Sequence, residues 1–403
     1  ECTTGAESAS KGHDLAMDEP RAIDFELLKP RLERAFDFAA RQVRATALRD
    51  PDYFPIYTEG GRWKHGGELW TDWCGGFHAG MMWLIAQRTG EAWWRATAEH
   101  YSRLLEPRRH DRDVHDLGFI FLNTYLPWYR LMGEDDFLQV MITAGQTLAL
   151  RFNPQGGYLR SFVSPESLFI DIMMNVPLIF LAARETGDRD LHDLAATHCR
   201  TTERTLVRAD GSTAHEGIFD LDTGAFLRQS THQGLRPDST WARGLAWSLY
   251  GFGTVFTYTR DPADLRVAER NADCWLARCS GSPVSPWDFD VPAGPERIDD
   301  SSAAAIAASG LWNLAELKAP HDPGRAKQYR DATLAILDAL CTDRYLAWST
   351  PGWEGILKHG VYHFHKNLGV DESVMWGEFF FLEAVDKVLR HKSAERPTAA
   401  VPI

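Results

Sequence analysis

The chain alternates between two kinds of helical stretch, and this alternation limits the possible folds more than any other feature. Six stretches are apolar nearly all round. They open near Asp72, Asp116, Asp171, Asp238, Asp300 and Asp371, and end near Gly90, Gly133, Gly187, Pro262, Pro320 and Val388. A helix that is apolar on every side has to be buried. Six amphipathic stretches lie among them, at residues 25–48, 92–105, 135–150, 190–207, 264–279 and 324–340. Their single apolar stripe suits an outer layer. One apolar and one amphipathic helix cannot bury the apolar partner between them, whereas a closed ring of such pairs can. The pattern predicts an all-α (α/α)6 barrel of six inner and six outer helices.

Asp ahead of an apolar run is an N-cap signature, because its side-chain oxygen accepts an orphan backbone N–H. Each of the six aspartates is therefore expected to cap its inner helix. The longest connections, near residues 151–170, 208–237, 281–299 and 342–370, all lead into inner-helix starts. One end of the barrel should then collect the aspartates, the long loops and six positive helix-dipole ends, a setting suited to anions. The active site is expected there, with short strands in the loops. Residues 1–20 and 393–403 read as tails flanking a single barrel domain over 21–392.

Composition narrows the function classes. A formal net charge of −13 argues against nucleic acid as a partner, so an anionic substrate needs locally placed Arg, His or Lys. No apolar run is long and clean enough to span a bilayer, and no membrane partner is expected. The six cysteines form no C-x-x-C pair, which points to buried free thiols rather than a zinc or redox framework. Walker, dinucleotide-binding, H-E-x-x-H and G-x-S-x-G motifs are absent. A monomer or weak homodimer is expected. The sequence starts Glu1-Cys2, and cytoplasmic and periplasmic locations in a bacterium both stay open.

Two aspartates stand apart. Asp171 lies between Phe169-Ile170 and Ile172-Met173, so desolvation should raise its pKa. Asp116 opens the neighbouring inner helix, close enough for the two carboxyls to couple and keep one protonated near neutral pH. Capping alone would explain either. His215 reads as a surface histidine or a site residue, and Gln233 as a turn residue or a site residue. Arg243, on an inner helix, needs an anionic partner in the protein or in a ligand. Trp247, four residues on, fits core packing or stacking on a sugar, as do Trp70 and Trp73. The chain has 15 Trp, several near the proposed mouth, and aromatic faces serve carbohydrate sites. His363, His365 and Lys366 share a late loop and read as a solvated basic cluster. Their functional reading is contact with a sulfate, and no third ligand accompanies the two histidines for a metal.

These residues fall into a familiar set of motifs. His115-Asp116-Leu117-Gly118-Phe119, Ile170-Asp171 with Met173-Met174-Asn175 and Pro177, Thr231-His232-Gln233-Gly234, Asp238-Ser239-Thr240-Trp241-Ala242-Arg243-Gly244, and Asp371-Glu372-Ser373 with Trp376-Gly377 together resemble the unsaturated glucuronyl hydrolases of glycoside hydrolase family 88. The resemblance runs over roughly residues 25 to 390. It implies an (α/α)6 barrel that removes a 4,5-unsaturated uronic acid from the non-reducing end of oligosaccharides made by polysaccharide lyases. It implies Asp171 as acid/base and Asp116 as second aspartate. His215, Gln233, Arg243 and Trp247 would line the sugar site, and no metal or organic cofactor would be needed. Leu245 departs from the motif, where Gln often follows W-A-R-G, and helical spacing turns it away from Arg243 and Trp247. Unsaturated rhamnogalacturonyl hydrolases share the fold. A sugar epimerase using His115 and His215 and a non-catalytic glycan-binding protein are the readings from other classes.

Overall fold

The structure, a computed structural model, describes residues 23–66 and 72–393. Trp70, the expected tail 1–20 and the expected tail 393–403 from residue 394 onward lie outside the described residues, and Ser393, expected in that tail, ends the last helix instead. The described residues form twelve α-helices: α1 (Phe25–Arg49), α2 (Gly75–Thr89), α3 (Ala92–Leu105), α4 (Leu117–Met132), α5 (Asp135–Ala149), α6 (Pro177–Thr186), α7 (Arg189–Leu206), α8 (Ala242–Thr259), α9 (Pro262–Arg278), α10 (Ser301–Lys318), α11 (Pro323–Leu340) and α12 (Met375–Ser393). The even-numbered helices pack in sequence, and α12 closes on α2. Each odd-numbered helix lies outside that ring against its neighbours. This is an (α/α)6 barrel. The inner helices bury from half of their residues, in α4, to most of them, in α10. In α10 the run Ser301–Gly310 is small except at Ile306, which lets α8, α11 and α12 all approach closely.

The two ends of the barrel differ. From inner to outer helix the chain turns in a few residues. Gly90, Gly133 and Gly187 take the left-handed conformation there, with φ of 70°, 68° and 70°. Each closes its helix by donating its N–H to the carbonyl four residues back. From outer to inner helix the chain runs through long loops, which carry four small antiparallel sheets among the described residues. The hairpin Gly360–His363 with Leu368–Glu372 is one of them. The three-stranded sheet of Ser167–Phe169, Glu216–Phe219 and Phe226–Ser230 is another.

The expected caps are largely corrected. Of the six aspartates, only Asp300 bonds its helix in the expected way, accepting the Ser302 N–H at 3.0 Å. Asp116 occupies the cap position of α4, but its side chain makes no cap hydrogen bond. Asp171 lies in a 3-10 turn, Ile170–Met174, before α6 starts at Pro177. Asp238 is exposed and pairs with Arg236, and Trp241 takes the cap position of α8. Asp371 is in a strand and pairs with His359. At α2 the cap position belongs to Cys74. Side-chain caps instead open the outer helices, at Asp24, Asp188, Asp261 and Asp322. Outer helices begin right after tight turns, where an Asp falls naturally at the cap. Inner helices emerge from structured loops whose backbone already fixes their first turn.

Asp300→Ala should therefore destabilise the protein by at least about 2 kcal/mol, since it removes a cap and leaves a buried arginine less compensated. Asp238→Ala should stay within about 0.5 kcal/mol of the parent, whereas Asp371→Ala, at a left-handed φ of 63° that Asp tolerates better than Ala, should lose about 1 kcal/mol. Urea unfolding of the three variants measures this.

Candidate active site

Asp171 is placed by a sheet rather than a helix. Phe169 pairs with Glu216, and the Ile170 N–H donates to the His215 carbonyl at 2.9 Å. The following 3-10 turn buries Ile170, Ile172, Met173 and Met174, which leaves the Asp171 side chain 14% exposed. Its Oδ1 is buried without a hydrogen-bond partner. Burial pushes its pKa up to about 6, opposed by the positive charge of Arg243.

His215 stands beside it, buried, with Nε2 3.8 Å from Asp171 Oδ1. Its Nδ1 accepts the N–H groups of His232 and Gln233 at 3.0 and 3.1 Å. A ring nitrogen that accepts carries no proton, so the neutral ring holds its proton on Nε2, facing Asp171. Burial, together with His232 and Arg243, holds the ring neutral. The surface reading of His215 is corrected, because the second strand of the sheet delivers it to the interior.

Asp116 is buried at the start of α4, with His115 Nε2 3.3 Å from its Oδ1. Burial raises its pKa well above the usual carboxylate range, and the negative charge of Asp171 adds to this. Asn175 joins the two aspartates' elements. Its Oδ1 accepts the Phe119 N–H at 2.8 Å, and its Nδ2 donates to the Asp171 carbonyl at 3.2 Å. Gly118 permits the contact, since a Cβ there would lie 2.4 Å from the Asn175 Cα.

Arg243 is buried in α8 between the rings of Trp241 and Trp376, 4.4 and 4.9 Å from their centroids. It donates to Gln233 Oε1, to the Val361 carbonyl and, at 2.9 Å, to the Tyr362 carbonyl. Asp300 Oδ2 lies 3.9 Å away and supplies the anionic partner. The Gln233 side chain is thus engaged, which corrects its reading as a mere turn residue. Trp73 is partly exposed, donates to the Tyr362 hydroxyl at 3.2 Å and packs on Trp376. Trp247 is corrected: it has no exposed surface and packs on Phe119 and Phe380, so it backs the site without offering a face. Lys366 is exposed in the late hairpin, and His365 donates to the Gly234 carbonyl at 2.8 Å. His363 is buried beside His232, so the solvated cluster does not include it. Among the described residues no group of three or more His, Cys, Asp or Glu is arranged to hold a metal.

Asp300, Asn175 and Trp376 are parts of this site to which the sequence assigned no role. Asp300 looked like one cap among six. Its distance from Arg243 depends on how α8 and α10 pack, and no sequence signal carries that.

Known proteins resemble this chain in sequence and in fold. Residues 55–271 match the family model described as Glycosyl Hydrolase Family 88. The chain is 31% identical over 364 residues to the unsaturated chondroitin disaccharide hydrolase of Streptococcus pyogenes serotype M1, covering 88% of this chain and 90% of that one. It is similar to the crystal structure of the unsaturated glucuronyl hydrolase of Bacillus sp. GL1, with a TM-score of 0.83 and 30% identity over 89% of this chain and 97% of the other. It is also similar to an aspartate-to-asparagine mutant of the Streptococcus agalactiae unsaturated glucuronyl hydrolase complexed with dGlcA-GalNAc6S. That match has a TM-score of 0.78 and 27% identity, covering 92% and 93% of the two chains.

A raised carboxyl pKa has a stability signature. Below about pH 4 the Asp171 carboxyl is protonated in the folded and unfolded states alike, and wild type should match Asp171→Asn. As pH rises toward the folded value of about 6, the unfolded state loses its proton first and the wild type loses stability. Asp171→Asn should therefore be more stable than wild type by about 3 kcal/mol at pH 8, with the gap closing in acid. Thermal unfolding across that pH range checks it.

Proposed function

Because the chain belongs to glycoside hydrolase family 88, we propose that it removes a 4,5-unsaturated uronic acid from the non-reducing end of lyase-generated oligosaccharides. Residues 21–392 act as one catalytic unit. The observation that carries the assignment of residues is the pair of buried, unpartnered polar atoms, Asp171 Oδ1 and His215 Nε2. Two such groups left without partners inside a protein are costly unless a ligand or a reaction uses them.

The reaction is hydration of a vinyl ether. Protonated Asp171 gives its proton to C4, and positive charge develops at C5 and the ring oxygen. Water adds at C5 and gives up a proton to the Asp171 carboxylate. The resulting hemiketal opens to a C5 ketone, breaking the bond from C5 to the ring oxygen. The hemiacetal left at C1 then collapses to an aldehyde and releases the remaining sugar. No bond to the enzyme forms, so the spacing rule that separates retaining from inverting enzymes does not apply. Asp116 holds ring hydroxyls and shares one proton with Asp171. A bound uronate adds negative charge and excludes water around the more open Asp171, which draws the shared proton to it. The neutral Nε2–H of His215 and the Arg243–Gln233 pair face the sugar, with Trp73 on its apolar side and Lys366 beyond it.

The solved relative with dGlcA-GalNAc6S bound supports an unsaturated uronate as the group held here. An epimerase reading needs a histidine acid/base pair. Both His115 and His215 have Nδ1 committed to backbone N–H groups, which suits them to donating a hydrogen bond and not to exchanging protons.

Incubation with disaccharides from chondroitin, hyaluronan, heparin, gellan and ulvan lyases should bleach the ultraviolet absorbance of the alkene for at least one of them. Asp171→Asn should lower kcat by about a thousandfold, and full activity in that variant would overturn the assignment. In the wild type, kcat/KM should persist as pH rises through about 6 and fall only where the aspartate pair gives up its last, shared proton, above the usual carboxylate range.

A further inference from the structure

His115 is next to Asp116 in sequence, and its ring is as buried as that of His215. Its Nδ1 accepts the Phe162 N–H at 3.0 Å, so the proton of the neutral ring sits on Nε2. That Nε2 lies 3.3 Å from Asp116 Oδ1. The rings of Phe162 and Phe169 flank the imidazole, with centroids 5.5 and 5.7 Å away. The charged and titratable groups around the pair are Arg151, beyond α5, His198 on α7, Arg108 and Asp111 ahead of α4, Cys74 before α2, Tyr362 of the late hairpin, His215 and Asp171. Arg151 is the nearest cation able to compete for Asp116, but its guanidinium donates to the carbonyls of Arg112, Arg160 and Ser161 at 2.5, 2.9 and 2.5 Å. A neutral histidine of fixed tautomer therefore points its Nε2–H toward the Asp116 carboxyl, 3.3 Å from Oδ1.

We propose that His115 is a positioning residue for the hydration reaction, its Nε2–H steering Asp116 so that the proton shared by the two aspartates can be delivered from Asp171. A donor to the Asp116 carboxylate favours its ionised form. Without that donor the more deeply buried Asp116 keeps the proton, and Asp171 is left ionised and unable to act as acid. A protonated His115 would bring a full positive charge beside the pair and hold both aspartates ionised. The latch from Phe162 and the apolar walls oppose this, because they leave Nδ1 no room to bind a proton.

The inference rests on the roles given above to Asp116 and Asp171. Two substitutions separate the two faces of the ring. His115→Asn places an amide oxygen where Nδ1 was, so the Phe162 latch survives, but the side chain stops short of Asp116. His115→Gln reaches the Nε2 position with an N–H donor and gives up the latch. His115→Asn should lower kcat by about tenfold or more, leave KM within about twofold, and move the kcat–pH profile to lower pH. His115→Gln should keep most of kcat and the wild-type profile. A purely structural role gives the opposite order, with Gln the more damaged and neither profile moved, and that result overturns the proposal. Histidine 15N NMR of the wild type tests it without a variant. The His115 ring should remain the neutral Nε2–H form across the active pH range, and a ring that titrates there, or carries its proton on Nδ1, also overturns it. If Asp171→Asn is inactive and His115→Asn behaves as wild type, this inference alone fails. If Asp171→Asn is active, the reading beneath it fails.

Discussion

The side-chain amide of Asn175 holds the mouth of the barrel in register. It accepts from the first turn of α4 and donates to the carbonyl of Asp171. One fully buried group thereby fixes the element that carries Asp116 against the element that carries Asp171. Gly118 lets the two backbones meet, and Gly251 does the same where α8 passes Met173. The spacing of the two carboxyls follows from these approaches. Loss of the Asn175 amide would leave a buried backbone N–H unpaired, a defect that hydrophobic packing cannot repair.

Around that joint the protein concentrates charge where burial makes charge expensive. Asp300 and Arg243 balance one another at the start of α10 and within α8. Two tryptophan rings and two backbone carbonyls hold the guanidinium, and Gln233 completes its shell. The same carbonyls belong to the late hairpin, so Arg243 also fastens that hairpin over the site. Among the described residues no cation lies within hydrogen-bond reach of Asp116 or Asp171, and burial raises the pKa of both. A barrel optimised for stability would have neither of them uncapped and buried. Their setting is the exchange of stability for reactivity expected of an active site.

Much of the barrel was legible from residue spacing. The small polar breaks at Gly90, Gly133 and Gly187 mark where inner helices end, because a left-handed turn there excludes most other residues. The alternation of apolar and amphipathic stretches placed both layers. The caps were misread. An Asp before an apolar run is compatible with a cap, yet the choice between capping and another use depends on what the loop before it does. At Asp171 that loop is a strand pairing with residues 216–218, and at Asp116 it is a turn bonded through His115 to Phe162. Trp247 illustrates the same limit, since helical spacing from Arg243 gave the face it lies on but not the Phe119 and Phe380 rings that cover it.

The sequence by itself determined the barrel and its mouth, because these follow from periodicity and turn chemistry, and it set Asp171 apart as a charged residue in an apolar run, while the acid/base role is what the family resemblance implies. Which histidine nitrogens face the aspartates, which aspartate balances Arg243, and which tryptophans stay open to a ligand were decided only by the tertiary structure. The reason is distance along the chain. Phe162 fixes the tautomer of His115, and Val361 and Tyr362 hold Arg243, across separations that no local pattern encodes. Those contacts exist only once six helical hairpins have closed into a ring and brought their loops to one end.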